Sequence, residues 1–295
     1  MKAALLPDRG VIKVSGDDAR KFLNGLISND MEKVKPGSAR FAALLTPQGK
    51  IIADFIVAEA EPEDGGGFFL DCPRALAPAL KDKLAFYKLR AKVTVDDLSA
   101  TLGVLAGWEG TALSDDGLSF ADPRLPSLGV RTILPPGLAA EAAADLGAEL
   151  IDAEAYEAHR IALGVPRGGI DFPYGDTFPH EADMDQIGGI DFQKGCYVGQ
   201  EVVSRVEHRG SARSRVVPVA FGEFGPAPGP LMAGEKEIGD LRSIGKGRGL
   251  ALVRLDRAAD AIAAGTPLLC GNMAIELVKP NWARFAWPGD SKAAG

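Results

Sequence analysis

Histidine and cysteine are scarce in this sequence, each occurring three times in 295 residues. The cysteines, Cys72, Cys196 and Cys270, are widely spaced and odd in number, which excludes a fully paired disulfide framework and favours a reducing compartment. The sequence contains no CxxC or HExxH pattern, and no cysteine spacing suited to an iron–sulfur cluster held within one chain. We therefore expect no resident metal centre.

An excess of positive charge and long apolar runs are also missing. The chain carries 33 Lys and Arg against 40 Asp and Glu, a formal net charge of -7, which argues against a general nucleic-acid binder. The apolar run after Lys2 spans only residues 3–6, too short for a signal peptide, and no run approaches the roughly eighteen residues of a membrane helix. The sequence predicts a cytoplasmic protein with neither nucleic acid nor a membrane among its partners.

Short strand and helix patterns alternate over residues 1–215, which we assign to one α+β body. Alternating or apolar runs predict strands, and apolar residues at helical spacing predict helices. Strands are expected at 11–14, 41–45, 50–58, 67–71, 91–97, 102–107 and 130–134, and helices from Asp17 to about Asn29 and at 75–90, 137–147 and 152–163.

The pattern changes after about residue 215. Apolar β segments separated by turn-rich stretches predict a small C-terminal β-barrel over 216–287, followed by a disordered tail at 288–295. The glycine-rich segment 245–249 lacks the strand and helix context of a phosphate-binding loop and is expected to be a plain turn.

The run KGCYVGQE, residues 194–201, concentrates unusual residue types around one thiol. A helix is expected to begin at Gly199 or Gln200, so that Cys196 precedes a helix N-terminus and follows Lys194; both features favour a thiolate. Gly195 and Gly199 permit close backbone approach or unusual dihedral angles. The residues alone are equally consistent with a buried structural cysteine, because free cysteine is among the most buried residue types.

Opposite charges flank this run. Residues 171–191 contain six acids and no Lys or Arg, whereas residues 205–215 contain four arginines and one acid. Such a gradient suits a ligand with a donor-rich head and an anionic tail, although on these residues alone charged, solvated loops are the favoured explanation. A Cys/His nucleophile using His180 or His208 remains a weaker alternative.

The KGCYVGQE run resembles the signature of the YgfZ-type folate-binding proteins, a family of folate-dependent iron–sulfur assembly factors related to the T-protein aminomethyltransferase of glycine cleavage. Further blocks resemble the family in the same order along nearly the whole chain. These blocks are FLNGLISND (22–30), LLTPQGKIIADF (44–55), FYKLRAKV (86–93), RIALGVPRGG (160–169) and FPHEADMD (178–185).

The resemblance implies a T-protein-like α+β body around a central folate channel with a C-terminal β-barrel. It implies tetrahydrofolate as cofactor, bound by Asn29 and Asp30, with Arg90 and Glu181 as further candidates. One position departs from the T-protein pattern: the block RxEAG, whose glutamate holds the pterin, has Ala162 in place of that acid here.

The function implied is assembly or repair of iron–sulfur clusters in client enzymes. Cys196 is expected to carry the activity, also as a candidate ligand of a transient cluster shared with a carrier or client protein, and Lys194 to tune the thiol. The rest of the motif supports the site: Gly195, Tyr197, Gly199, Gln200, Glu201 and Arg205. Two alternatives stay open, namely a true folate-dependent aminomethyltransferase and a non-catalytic scaffold for a cluster carrier.

Overall fold

The computed structural model describes residues 1–62, 65–209 and 212–289, with Arg209 described by its backbone alone. The predicted disordered tail lies outside the described residues from 290 onward. The helices are α1 (Ala19–Asn24), α2 (Ala77–Tyr87), α3 (Ala139–Asp145), α4 (Ala153–Leu163), α5 (Gln200–Arg209) and α6 (Leu255–Ala263). The strands are β1 (Lys2–Leu5), β2 (Arg9–Ser15), β3 (Arg40–Leu45), β4 (Ile51–Glu59), β5 (Phe68–Pro73), β6 (Thr94–Asp97), β7 (Gly103–Trp108), β8 (Leu118–Ala121), β9 (Val130–Leu134), β10 (Glu149–Leu150), β11 (Ser214–Ala220), β12 (Gly229–Ala233), β13 (Lys236–Ile244), β14 (Arg248–Arg254), β15 (Leu268–Cys270), β16 (Met273–Ala274) and β17 (Glu276–Leu277).

The chain forms two compact units. The first comprises Met1–Glu157 together with Ile187–Gln200, and the second comprises Ala158–Gln186 together with Glu201–Gly295. Most of the KGCYVGQE run, through Gln200, thus belongs to the first unit. The boundary at residue 215 stays a prediction, because both units are built from more than one segment.

The first unit contains a five-stranded antiparallel sheet in the order β3-β4-β5-β2-β6. The predicted hairpin between β3 and β4 is confirmed, and Gly49 takes a φ of 81° in its turn. Helices α1 and α2 bury Leu23 and Leu84 in the same core cluster as Phe55 and Leu70 of the sheet. This core fixes α1, which carries the residues that hold the cysteine motif.

A second sheet of the first unit has the order β10-β1-β7-β9-β8, with β1 and β10 parallel and the other pairs antiparallel. Arg131 on β9 is buried and donates to Asp71 of β5 (2.5 Å) and to Asp122 (2.8 Å). Arg9 of β2 also donates to Asp71, at 2.6 Å. Since two arginines share the Asp71 carboxylate, buried ion pairs join the two sheets.

The second unit contains a seven-stranded antiparallel sheet in the order β16-β15-β12-β13-β14-β11-β17. Its two edge strands are consecutive in the chain, and only Ile275 lies between them. A sheet whose opposite edges are joined by one residue must curl until those edges nearly meet. The glycine-rich segment 245–249 is the turn of the β13–β14 hairpin, as predicted.

The structure departs from the predicted elements at several places. The predicted helix from Asp17 ends at Asn24 rather than near Asn29, because Ile27 pairs with Leu44 of β3 and the Ser28 amide donates to the carbonyl of Ala43. The helix predicted to reach residue 90 ends at Tyr87. Helix α6 was not predicted, although its buried residues Leu255, Ala258 and Ala261 share one face.

Candidate functional site

The KGCYVGQE run presents its thiol at the surface. Cys196 is exposed, whereas its neighbours Lys194 and Tyr197 are buried. Cys72 and Cys270 are both buried, and burial raises the pKa of the Cys72 thiol to about 12. Of the three cysteines, Cys196 is therefore the one that a second protein can reach.

Lys194 anchors this loop. Its ammonium group donates to the backbone carbonyls of Asn24 (2.7 Å), Ile27 (2.7 Å) and Asn29 (3.0 Å). An ammonium has three N–H donors, so these carbonyls use all of them. Lys194 thus ties the cysteine motif to the chain that follows α1, and the proposed tuning of the Cys196 thiol stays a prediction.

Burial shapes the chemistry of Lys194 and Tyr197. Desolvation lowers the pKa of Lys194 to about 8, against the opposing effect of the nearby carboxylates of Asp30 and Asp191. The ammonium lies 4.9 Å from the centre of the Tyr197 ring, within the range of a cation–π interaction. Burial also raises the pKa of the Tyr197 phenol to about 12. Both side chains thus anchor the loop to the first unit, and Cys196 stays at the surface.

The two glycines of the motif have different roles. Gly199 has a φ of 84°, and a Cβ there would lie 2.5 Å from the carbonyl oxygen of Thr46. A Cβ added at Gly195 would have no heavy atom of the described residues within 4 Å, and the φ of Gly195 is not positive. The close approach and unusual dihedral expected of both glycines are therefore present at Gly199 and not at Gly195.

Replacing Gly199 by alanine is expected to lower the free energy of unfolding by about 2 kcal/mol or more, because a side chain would meet both a left-handed backbone and a carbonyl. The matched Gly195→Ala protein should unfold within about 0.5 kcal/mol of the wild type. Urea unfolding of both variants measures the difference. Equal stability of the two variants contradicts this assignment.

The predicted helix after the motif is confirmed, since α5 begins at Gln200. Val203 is buried, and Val202 and Val206 are half-buried, as expected of an inward face. Glu201 and Arg205 are exposed and form an i, i+4 ion pair of 2.5 Å. Exposed pairs of this kind contribute little to stability, so their supporting role in the site stays a prediction.

Asn29 and Asp30 lie where the Lys194 anchor meets the chain after α1. The Asn29 amide donates to the carbonyls of Phe41 and Gly188, both at 2.8 Å, and accepts from the Asp30 amide. The Asp30 carboxylate accepts from the amide of Glu32 at 3.0 Å, which begins a single helical turn. The Asn29 amide thus makes internal hydrogen bonds, whereas Asp30 is half-buried and keeps acceptor capacity for a ligand. Folate binding by both residues stays a prediction.

A cavity of about 460 Å³ opens beside Asn29 in the first unit. Its polar lining consists mainly of Lys33, Arg40 and Asp191, and Phe192 supplies an exposed aromatic ring. Burial would raise the pKa of Asp191, but hydrogen bonds from Lys33 and from backbone amides lower it, so the group is an ionised acceptor. Size and lining together fit a small ligand with both donor and anionic groups.

Asn29 lines this cavity, but the other predicted folate residues, Asp30, Arg90 and Glu181, do not. Arg90 is exposed and lines a separate cavity of about 330 Å³ together with Lys21 and Tyr87. Glu181 belongs to the second unit, where its carboxylate accepts from the amide of Phe178 at 2.8 Å. The structure therefore joins Lys194 to Asn29 by a hydrogen bond, next to Asp30, and places Arg90 at a different cavity.

Several of the flanking charges are paired inside the protein. Arg215 is buried and binds Asp183 (2.9 Å) and Asp185 (2.8 Å). Asp171 is buried against Arg160 at 2.5 Å, and Ser243 bonds to both residues. The charge gradient in the sequence thus reflects, in large part, internal ion pairs rather than a ligand surface.

Arg160 and Ala162 occupy the block compared with the T-protein RxEAG pattern. Arg160 is buried in the pair just described, whereas Ala162 is exposed near the end of α4. The sequence analysis did not identify Arg160 or Arg131 as buried residues. For Arg131 a signal is present, because an arginine inside the otherwise apolar strand VRTIL indicates a buried ion pair.

The fold defines the class of protein. The chain superposes on the crystal structure of glycine cleavage system aminomethyltransferase T from Bartonella henselae with a TM-score of 0.75 over 97% of this chain and 87% of that one, at 19% identity. The GCVT N-terminal domain family matches residues 8–106, and the CAF17 C-terminal beta-barrel domain family matches residues 213–285. The predicted α+β, T-protein-like fold with a C-terminal, nearly closed β-barrel is confirmed.

Sequence relatives narrow the class to a family. Iron-sulfur cluster assembly factor IBA57, mitochondrial, of Homo sapiens is 33% identical over 84% of this chain and 76% of the human protein. The IBA57 homolog of Mycosarcoma maydis is 37% identical over 77% of this chain, and the alignment covers 59% of that longer protein. The chain thus spans little more than half the length of the fungal relative. It belongs to the IBA57 family.

The predicted cytoplasmic location is wrong by this comparison, because these relatives are mitochondrial proteins. The prediction rested on the lack of an apolar N-terminal run, which tests only for a secretory signal. Mitochondrial targeting segments are amphipathic and rich in arginine, so that criterion does not bear on them. Within the described ranges, none of the helices is both long and apolar enough to cross a membrane.

Proposed function

We propose that this protein serves the assembly or repair of iron–sulfur clusters in client enzymes, with Cys196 as the residue that contacts the cluster. The observation that carries the proposal is the exposure of this thiol on a firmly anchored loop. A thiol facing an internal channel suits one-carbon chemistry, whereas a thiol at the surface suits contact with a cluster held by another protein. Membership of the IBA57 family supports the same conclusion.

Four residues of the motif have a part in this function. Cys196 gives a thiolate, the ligand that iron–sulfur clusters prefer, to a cluster carried in by a partner. Lys194 and Tyr197 hold the loop so that the thiol stays outside, and Gly199 lets the chain pass close to the β3–β4 turn. The cluster is cargo here, and its remaining ligands come from the partner protein.

Removing the protein from cells tests the function itself. We expect the activity of cluster-containing hydratases and radical enzymes to fall at least several-fold, since their clusters would be assembled or repaired too slowly. Enzymes of the same compartment that lack a cluster serve as the control and should keep full activity. Unchanged activity of the cluster enzymes in the deletion strain would refute the proposal.

We further propose that the protein binds tetrahydrofolate, as the resemblance to the YgfZ-type family implies, in the cavity beside Asn29. Asp191 would accept from the donor-rich pterin, and Arg40 would bind the carboxylates of the glutamate tail. Lys33 is paired with Asp191 and would lie at the pterin end. Bound tetrahydrofolate would supply a one-carbon or reducing group.

Arg40→Met is expected to weaken tetrahydrofolate binding at least tenfold, because it removes a charged donor from the cavity. Arg90→Met is the matched control, since Arg90 lines the other cavity and should leave the affinity within twofold. Isothermal titration at constant salt measures both. A loss of affinity confined to Arg90→Met would assign the ligand to the cavity that Arg90 lines. If the wild type does not bind tetrahydrofolate, the folate proposal is wrong.

A true aminomethyltransferase is the second candidate, favoured by the T-protein-like fold. The half-buried carboxylate of Asp30 would then orient the reactive folate nitrogen. The exposed alanine at position 162 speaks against it, because that helix position lacks the acid of the T-protein pattern. Formation of methylene-tetrahydrofolate from an aminomethyl-lipoyl carrier, measured with the purified protein, would establish this activity. A scaffold role differs from our main proposal only in lacking turnover.

A further inference from the structure

Two large apolar side chains stand in solvent where α2 ends. Leu89 is 88% exposed and Phe86 is 74% exposed. Phe86 packs edge-on against the half-buried ring of Tyr87, with ring centres 5.8 Å apart, so its direction is fixed. We call this feature the 86–90 knob, after the residues it spans.

Leu89 occupies a backbone conformation that does not suit it. Its φ is 46°, directly after the residue that caps α2. Helices commonly end in this left-handed conformation, but the residue there is usually glycine or asparagine, because a Cβ raises the energy. Leu89 therefore weakens the helix end and, being exposed, offers the core almost nothing in return. The fold itself gives no reason for a leucine at this position, whereas a contact with another molecule does.

The knob lies in a basic stretch of an acidic protein. Residues 81–92 contain five cations (Lys81, Lys83, Lys88, Arg90 and Lys92) and one acid (Asp82), although the whole chain has a net charge of -7. Exposed apolar groups within a charged rim are typical of a protein-binding surface. Asp17 and Asp18 lie beside Lys92 and offset its charge, so Lys81, Lys83, Lys88 and Arg90 give the rim its positive sign. That sign selects a partner whose docking face is acidic.

The knob and the cysteine loop are attached to the same short helix. Lys21 and Phe22 of α1 line a cavity together with Leu89 and Arg90. The carbonyl of Asn24, the last residue of α1, accepts from Lys194. A six-residue helix is about 9 Å long, so these two attachment points on α1 lie within the footprint of one partner protein.

We propose that the 86–90 knob is the docking surface for the cluster-carrier protein, which receives Leu89 and Phe86 in an apolar pocket with an acidic rim. This proposal rests on the function proposed above, since it supplies the partner contact that brings the cluster to Cys196. The lysines and Arg90 around the knob steer the encounter, and the two apolar side chains hold the complex.

The test measures the affinity for the cluster-free carrier protein of the same organism by isothermal titration. Leu89→Gly should weaken binding at least tenfold while the thermal midpoint stays the same or rises, because glycine relieves the backbone conformation. The double variant Lys88→Glu/Arg90→Glu should weaken binding and flatten its salt dependence. Phe224→Ser removes a comparably exposed side chain (83%) from the second unit and should bind as the wild type does.

Each result decides a separate question. If Leu89→Gly and Lys88→Glu/Arg90→Glu both bind the carrier as tightly as the wild type does, the docking proposal is wrong and the proposed cluster function is unaffected. No binding of the carrier by the wild type would overturn both. Sedimentation of the wild type with phosphatidylcholine vesicles containing phosphatidylserine, lost in Leu89→Gly, would assign the knob to a membrane surface and overturn the protein partner.

Discussion

Replacing Cys196 by serine is expected to abolish the support of cluster enzymes in cells while leaving the fold intact. The side chain is exposed, so the exchange removes almost no packing, and an alcohol is a far poorer ligand for an iron–sulfur cluster than a thiolate. The measurement is the activity of cluster-containing hydratases in a deletion strain that carries only the variant. The purified variant should unfold within about 0.5 kcal/mol of the wild type.

Gly195→Ala provides the control for this experiment. It alters the neighbouring position on the same loop, where a Cβ would meet no heavy atom of the described residues, and should rescue the deletion strain fully. Full rescue by Cys196→Ser would show that the thiol is dispensable and would contradict the proposed mechanism.

Lys194→Met is expected to produce the largest loss of stability among the motif residues. It removes the donors to three backbone carbonyls, two of which it contacts at 2.7 Å, and leaves them in a buried region. Hydrogen bonds to a charged group are worth more than neutral ones, so the loss should be on the order of 3 kcal/mol. Urea unfolding measures it, and the exposed Arg205→Met is the control, expected within about 0.5 kcal/mol.

This loss should also depend on pH. Burial lowers the pKa of Lys194 to about 8 in the folded protein, from an ordinary value of 10.5. Between these values the unfolded chain binds more protons than the folded one, so the contribution of Lys194 to stability rises with pH. The difference between wild type and Lys194→Met should therefore widen above pH 8 and stay constant below it. A difference that narrows above pH 8 would contradict the lowered pKa and the burial that causes it.

The fold could largely be predicted because most elements carry a clear apolar period. The strands of the first sheet and the β13–β14 turn follow from their patterns alone. Helix α6 was not predicted, although Leu255, Ala258 and Ala261 lie on one buried face, because the region after residue 215 was interpreted as β structure throughout. The end of α1 was misplaced because pairing of Ser28 with β3 competes with the helix, and such pairing involves residues distant in the sequence.

The cysteine motif could be singled out from the sequence, but the contacts of its residues could not. The motif itself points to Cys196, yet only the contacts show that the Lys194 ammonium is directed into three carbonyls. The flanking charges suggested a ligand surface, whereas Arg215 and Asp183 form a buried pair. An arginine inside an apolar strand indicates a buried charge, but the sequence does not show its partner, because the pair joins residues from separate segments.

The formation of a cluster shared between this protein and a carrier tests the central claim most directly. The reduced protein is mixed without oxygen with a cluster-loaded carrier, and native mass and visible circular dichroism are recorded. We expect the wild type and the carrier to form a complex that retains the cluster. Cys196→Ser should still associate with the carrier, but that complex should lose the cluster. Equal retention of the cluster by the wild type and Cys196→Ser would contradict the proposed role of the thiol.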